Sequence, residues 1–301
     1  MKKVRVGSRD SKLAVIQTEL VLNEIQKKHP EIEFELITMK TTGDKILDRN
    51  LDQIGGKGLF VKELDKALLD GRVDITIHSL KDLPMEISEE IPLVGFSKRE
   101  DSRDVLIFAE GEKDGDITGC IGTSSRRRME QLKRIYPHAS FRGIRGNVQT
   151  RLKKLAEEDY VATVLAKAGL NRLNVYTLNC LNTSNNLCRV FSVEEMIPAA
   201  GQGILAIQGR KGEDYSYLED VCSRKSRIAA LTERSFVRSL DGGCSSPIAA
   251  YAEVEGDLVK LRGLYYHEPA QDYSVGVKSG AVSDAEKIGI ELAKELRAQW
   301  M

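Results

Sequence analysis

Aromatic residues are scarce in this chain: Phe, Trp and Tyr make up 6% of its 301 residues, with a single tryptophan. Proteins that hold single-stranded nucleic acid usually interleave stacking rings with positive charge, so the scarcity speaks against that class. Net charge is missing too. Lys plus Arg number 45 and Asp plus Glu number 45, so no global field draws the chain to nucleic acid or to an anionic membrane, and a basic site has to be a local arrangement. No segment reaches the roughly 18 consecutive apolar residues that a membrane-crossing helix needs. The start, MKKVRVGSRDSKLAV, lacks the apolar stretch of a signal peptide, which makes the cytoplasm the expected compartment. The cysteines, Cys120, Cys180, Cys188, Cys222 and Cys244, are odd in number and include no CxxC pair. That argues against a disulfide framework and a thiolate zinc site, and no metal is expected. A P-loop is also missing: in Gly55-Gly56-Lys57-Gly58 a glycine stands where the magnesium-holding hydroxyl would be.

What is present suffices for folding. The chain is 41% hydrophobic and 30% charged, and its length exceeds what one core usually organises, so two or three domains are expected. Val4-Arg5-Val6 reads as a strand, followed by a Gly7 turn and a helix that Ser11 can cap, with Leu13, Ile16 and Leu20 on one face. A strand with Phe34, Leu36 and Thr38 on one side comes next, then the Gly-rich stretch 41–58, which reads either as a mobile lid or as a surface excursion. Leu64 and Leu68 mark a helix ended by Gly71, and Val73, Ile75 and Ile77 alternate with Asp74, Thr76 and His78 in a strand. This succession predicts an α/β domain with mostly parallel pairing. A second pass begins near residue 98. There CIGTSSRRRMEQLKRIY echoes the strand, turn and helix of VRVGSRDSKLAVIQ, either as a duplication or as the common grammar of βα units. Towards the end, Ile204–Ile207 reads as a buried strand, RIAALTERSFVRSL as a helix, IAAYAEVEGDLVKLRGLYY as a hairpin around Glu255-Gly256-Asp257, and Ile288, Leu292 and Leu296 as one face of a last helix. A small α+β third domain follows from this order.

Three groups of residues carry chemistry. Arg126, Arg127, Arg128, Lys133, Arg134, Arg142, Arg145, Arg151, Lys153 and Lys154 crowd a region in which Glu130 is the acid among them. Thr123, Ser124 and Ser125 stand at an expected helix start, where unpaired N–H groups and the helix dipole favour anions, and arginine's planar fork matches carboxylate or phosphate. Lys133, Arg134, Lys153 and Lys154 read as a solvated face. Arg127, Arg128, Arg145 and Arg151, beside Gly or Ser turns, fit a small polycarboxylate or phosphate ligand better. In HSLKDLP, Asp82 falls just past a strand end, where open α/β sheets collect ligands; capping a turn before Pro84 is an equal alternative. In Asp241-Gly242-Gly243-Cys244-Ser245-Ser246-Pro247, two glycines free the backbone to bring a thiol close to something bulky, although an isolated cysteine is more often a buried small hydrophobe.

In order along the chain, GSRDSKLA, GGKGLFVKEL, HSLKDLP, GTSSRRR, RGNVQTRL, AGLNRL, IPAAGQG and DGGCSSPI resemble the successive motifs of the porphobilinogen deaminase (hydroxymethylbilane synthase) family from end to end. The resemblance implies two α/β domains similar to periplasmic binding proteins, with mostly parallel sheets, plus a small α+β C-terminal domain. The division implied is 1–97 with 202–219, 98–201, and 220–301. It also implies a transferase of tetrapyrrole (haem) biosynthesis that condenses four porphobilinogen molecules head to tail into hydroxymethylbilane, releasing ammonia each time. The cofactor implied is a dipyrromethane primer held by a thioether to Cys244.

Carried over residue by residue, the resemblance makes Asp82 catalytic, through a carboxylate that steadies the azafulvenium cation formed as ammonia leaves. Lys81, Asp82, Thr123, Ser124, Ser125, Arg127, Arg128, Arg145, Gly146 and Arg151 hold the primer or growing chain, while Arg9, Ser11, Gln17, Arg145 and Arg172 receive incoming substrate. Porphobilinogen is then the small-molecule partner, and a monomer free of nucleic acid and membrane is expected. Two positions depart from the family pattern: Arg126 stands where an apolar residue is common, and Ser246 where valine is frequent.

Overall fold

The computed structural model describes residues 2–41, 61–175, 188–243 and 246–301. The chain divides into two compact units, Met1–Glu100 with Gly203–Ile228, and Asp101–Gln202 with Ala229–Met301.

The first unit is built on strands β1 (Lys2–Arg9), β2 (Ile32–Met39), β3 (Ile75–Ser79), β4 (Leu93–Phe96) and β10 (Leu205–Gly209), in the spatial order β2-β1-β3-β10-β4. β1 runs parallel to β2 and β3, whereas β10 is antiparallel to both β3 and β4. Helix α1 (Lys12–Lys28) covers one face, packing Val21, Leu22 and Ile25 on Val4, Val6, Ile75, Ile77, Leu205 and Ile207. On α2 (Lys62–Leu69), Ala67 and Leu68 pack with Val73 and Ile91, and Ile37 and Met39 of β2 lie against them. A sheet sandwiched in this way buries both sides of its central strands. Thr76 and His78 of β3, which alternate with the isoleucines, are accordingly buried as well. The expected apolar face of α1 needs correction: Leu20 is 45% exposed, and the buried stripe is Gln17, Thr18, Val21, Leu22 and Ile25.

The second unit contains β5 (Asp104–Phe108), β6 (Cys120–Gly122), β7 (Ser140–Arg142), β8 (Ala162–Ala166) and β9 (Cys188–Val190), ordered β7-β6-β8-β5-β9. β6 is parallel to β7 and β8, and β5 is antiparallel to β8 and β9. Helices α3 (Arg126–Ile135), α4 (Val148–Glu157) and α5 (Lys167–Arg172) follow β6, β7 and β8.

Both five-stranded sheets therefore share one plan: a first strand flanked by the second and third, then a reversed strand, then the fourth. In this plan β1 with α1 and β6 with α3 hold the same place, so the echo between VRVGSRDSKLAVIQ and CIGTSSRRRMEQLKRIY joins topologically equivalent segments. The reversed strands differ in origin. β5 follows β4 directly in the chain, whereas β10 comes after β9.

The same unit carries an antiparallel sheet of β11 (Ala249–Glu255), β12 (Leu258–His267) and β13 (Asp272–Ala281). Helix α6 (Arg224–Ser239), which belongs to this unit from Ala229 onward, and helix α7 (Ala285–Ala298) accompany it. The expected hairpin is there, and β12 turns once more into the unanticipated β13. Gly289 lets α7 approach α6 closely, since a Cβ there would lie 2.0 Å from Ser235 Oγ. Among the described residues no helix is long and apolar enough to cross a membrane, and Cys120, Cys188 and Cys222 are free thiols.

Candidate functional site

In the first unit the predicted residues gather at the carboxyl ends of the adjacent strands β1 and β3, where open α/β sheets bind ligands. Arg9 closes β1, and Ser11 caps α1, its Oγ accepting from Ala14 N at 3.4 Å. Gln17 is buried, and its Oε1 accepts from Ser79 Oγ at 3.1 Å, tying α1 to the end of β3. The chain then makes a 3₁₀ turn, Leu80–Asp82, pinned by Leu80 N donating to Ile204 O at 3.0 Å and by the fully buried Leu80 and Leu83. With both leucines turned inward, Lys81 is half-buried and Asp82 is exposed. Nearby, His78 Nε2 lies 2.8 Å from Thr76 Oγ1. Burial, helped by the positive charge of Arg9, pushes this imidazole down to about 4, so it is neutral at physiological pH and ill-suited to deliver a proton.

In the second unit the residues cluster at the carboxyl ends of β6, β7 and β8, again neighbours. Ser125 caps α3, its Oγ accepting from Arg128 N at 3.5 Å. Thr123 Oγ1 accepts from Ser125 N at 3.2 Å, and Ser124 Oγ donates to Ile144 O at 3.0 Å, joining this turn to the one after β7. Gly146 sits at φ +113°, and a Cβ there would lie 2.5 Å from Thr150 Cγ2, so the turn requires glycine. Asn147 caps α4 by accepting from Thr150 N at 2.9 Å, while Arg151 Nε donates to Gly146 O at 2.9 Å. Arg172 lies half-buried at the end of α5.

Apart from Arg151, which is bonded to Gly146 O, the basic cluster separates into three kinds. Arg126 is bidentate with Glu268 at 2.8 Å, Arg134 pairs with Asp272 and lies over the Tyr273 ring, and Arg142 lies over Tyr160. Lys133, Lys153 and Lys154 pair with Glu130, Glu157 and Glu158. Apart from Lys133–Glu130, whose carboxylate is buried, these are surface contacts of modest worth. Arg127 and Arg128 are the second kind: both are buried, and both face Asp104 at 2.8 and 2.7 Å. The sequence reading sends both forks to a ligand, whereas here each spends part of its donor set on an internal carboxylate. Arg145 is the third kind, half-exposed with no hydrogen-bond or ion-pair partner among the described residues. Sequence reasoning missed Asp104 altogether, because one acid ahead of the apolar run Val105–Phe108 reads as a turn residue.

Cys244 lies outside the described residues, as does most of the 41–58 stretch. Its neighbours Gly243 and Ser246 exchange two hydrogen bonds, Gly243 N to Ser246 Oγ at 3.0 Å and Ser246 N to Gly243 O at 3.1 Å, which gives the unusual Ser246 a contact that valine cannot make. No group of His, Cys, Asp and Glu among the described residues is placed to hold a metal ion.

Residues 4–217 match the family model described as "Porphobilinogen deaminase, dipyromethane cofactor binding domain", and residues 227–298 match the C-terminal domain of the same family. The chain belongs to the porphobilinogen deaminase family. Curated relatives include the porphobilinogen deaminases of Acetivibrio thermocellus, 50% identical over 98% of both chains, and of Ruminiclostridium josui, 50% identical over 99% of both. The porphobilinogen deaminase of Nostoc is 40% identical over 99% of this chain and 92% of its own. Solved structures such as the Bordetella pertussis BvgS VFT2 domain, at a TM-score of 0.39 and 16% identity over 73% of this chain and 84% of that one, are too distant to bear on the assignment. The family makes the chain a transferase of tetrapyrrole biosynthesis that uses a dipyrromethane cofactor. The residues present suit such a polycarboxylate: among the described residues Arg145 is unengaged, and the buried Arg127 and Arg128 share one carboxylate.

Proposed function

We propose that this chain extends a dipyrromethane primer on Cys244 by four porphobilinogen units, with the strand ends of the first unit serving the chemistry and those of the second holding the chain. The observation that carries this is the exposed Asp82 on a turn anchored by two buried leucines, a rigid mount for a carboxylate that must steady positive charge. In each addition the C–N bond of the substrate's aminomethyl group breaks, and nitrogen leaves as ammonia once it has its proton. The methylene carbon, now cationic in conjugation with the pyrrole nitrogen, is attacked by the α-carbon of the terminal pyrrole. A C–C bond forms, and that α-carbon gives up its proton. Asp82 accepts a hydrogen bond from pyrrole N–H and so stabilises the cation where charge develops. The cofactor, when bound, supplies the first acceptor carbon.

Arg9, Ser11, Gln17, Arg145 and Arg172 receive the carboxylate arms of incoming substrate. Lys81, Thr123, Ser124, Ser125, Arg127, Arg128, Arg145, Gly146 and Arg151 steady those of the chain. Each charge-assisted contact is worth roughly 1.5–3 kcal/mol, so several act together. A tethered acceptor meets each monomer at high effective concentration, which removes the need for a separate primer. The three-domain division given by the sequence, a monomeric state, a cytoplasmic location and the lack of a nucleic-acid partner belong to the same proposal.

Intact mass spectrometry with peptide mapping tests it on the purified protein. An adduct the size of two pyrroles on Cys244, together with ammonia release from porphobilinogen, is expected. Active protein with an unmodified Cys244 overturns the proposal.

A further inference from the structure

Asp104 opens β5 and is completely buried. Its Oδ1 accepts from Arg128 Nη2 at 2.7 Å and from Gln202 Nε2 at 2.9 Å, and its Oδ2 lies 2.8 Å from Arg127 Nη2. The other ends of the forks are fixed as well. Arg127 Nη1 donates to Ile197 O at 2.8 Å and Arg128 Nη1 to Val164 O at 2.9 Å, while Gln202 Nε2 also donates to Ser102 O at 2.6 Å. Burial works against ionisation here, yet the two guanidiniums hold the Asp104 carboxyl well below the usual carboxylate range. One negative charge thus faces two positive ones, at the first turn of a helix that carries no acid there. Arg128 Nε is left buried without a hydrogen-bond partner, an orphan donor of the kind a folded protein seldom keeps without a use.

We infer that Asp104 is a positioning residue for the elongation reaction: it sets the forks of Arg127 and Arg128 in one orientation and leaves them a single uncompensated positive charge for a chain carboxylate. This rests on the proposed role of those arginines in holding the chain. Physically the arrangement is economical. Two adjacent guanidiniums repel each other when buried, and a lone pair of them rearranges or takes up a counter-ion. A single carboxylate suppresses the repulsion and stops short of neutralising the site. With two carboxylates the attraction for an anionic chain would be gone, and with none the forks would have no fixed direction.

The test uses full-length protein, with the Cys244 adduct counted by intact mass so that rates are expressed per adduct-bearing molecule. Asp104→Asn keeps the size and one acceptor but removes the charge. Asp104→Glu keeps the charge but displaces both forks by roughly one C–C bond, about 1.5 Å. Each is expected to lower kcat for ammonia release at least about tenfold, with KM for porphobilinogen changing less than about threefold, because the effect runs through the chain and not the incoming monomer. In a double-mutant cycle, Asp104→Asn with Arg128→Gln loses no more kcat than the worse single variant, since both remove one device. Wild-type kcat in adduct-bearing Asp104→Glu, or additive losses in the cycle, overturns the inference. If Asp104→Asn does not fold, Asp104→Glu decides alone. Failure of the underlying proposal has a different signature: wild-type protein that is active without an adduct.

Discussion

The segments β1–α1 and β6–α3 occupy the same place in two sheets of one plan, yet they have become opposite electrostatic devices. Each helix starts on a serine cap and carries no acid in its first turn, which leaves a positive helix end open to an anion. Beyond that they part. α1 turns a neutral amide inward, Gln17 bonded to Ser79, and so makes a rigid, uncharged floor. α3 turns two guanidiniums inward against one carboxylate and so makes a fixed positive one. The two units also hold acids differently: Asp104 is fully buried with two cationic partners, whereas Asp65 on α2 is half-buried, with its Oδ1 enclosed and without a hydrogen-bond partner. One topology, used twice, would on the proposed function supply both a mount for chemistry and a grip for a polyanion, and the distinction lies in a few inward-facing side chains.

The strongest way to break the comparison is at Asp82. If the chemistry belongs to the first unit, Asp82→Ala keeps the fold and the Cys244 adduct but loses turnover by at least about 10², the scale of one lost electrostatic stabiliser. Ammonia release per adduct-bearing molecule measures it. Release at the wild-type rate removes Asp82 from the mechanism and with it the division of labour between the two sets of strand ends.

A smaller effect sharpens the contrast between the buried acids. Burial pushes Asp65 up to about 6. With a folded value above the unfolded one, its contribution to stability is fully present below about pH 4 and lost as pH rises through about 6. At pH 7.5 the ionised carboxylate is a penalty that solvent reaching this half-buried side chain reduces, so Asp65→Asn should stabilise the protein by about 1 kcal/mol, with no gain near pH 4. Asp104 has the opposite sign: depressed by its arginines, it stabilises above the ordinary carboxylate pKa and loses that contribution as pH falls further. Denaturant midpoints at the two pH values read the difference, and an equal gain at both shows that burial of the charge at Asp65 is not the cause.

What was legible in the sequence follows from the range of the interactions involved. The β1 turn, the Ser11 cap, the run at β3, the buried β10 and the last helix are local patterns, and so are the place of Asp82 just past a strand end and that of the arginines beside Gly or Ser turns at helix starts. The stripe of α1 that faces the sheet was not legible. Leu13, Ile16 and Leu20 make as good a period as Gln17, Val21 and Ile25, and the choice is made by Ser79, 62 positions from Gln17. Strand β13 escaped because DYSVGVKSGA mixes glycine, serine and charge on a sheet edge, where strand composition is least distinctive. The fate of Arg127 and Arg128 escaped for the same reason as the reversed strands β5 and β10: the deciding partner, Asp104 for the arginines, β8 for β5 and β3 for β10, is remote along the chain.

The caps give the smallest effect and the finest test of equivalence. Ser11 and Ser125 accept from the backbone N–H three residues on, at 3.4 and 3.5 Å, both at the long end for a hydrogen bond, so replacing either with alanine should cost about 0.5–1 kcal/mol of stability. Because the two segments hold the same topological place, the two losses should match within about 0.5 kcal/mol when read from denaturant midpoints. Their kinetic signatures should differ. Ser11→Ala removes the capping hydroxyl of α1 just beyond β1, which the proposed function assigns to incoming substrate, and should raise KM. Ser125→Ala loosens the turn that orients the first residues of α3, among them Arg127 and Arg128, and lowers kcat. Equal stability losses with unlike kinetics are what one scaffold plan turned to two tasks requires, and identical kinetic changes in both variants would mean that the equivalent strand ends do the same work.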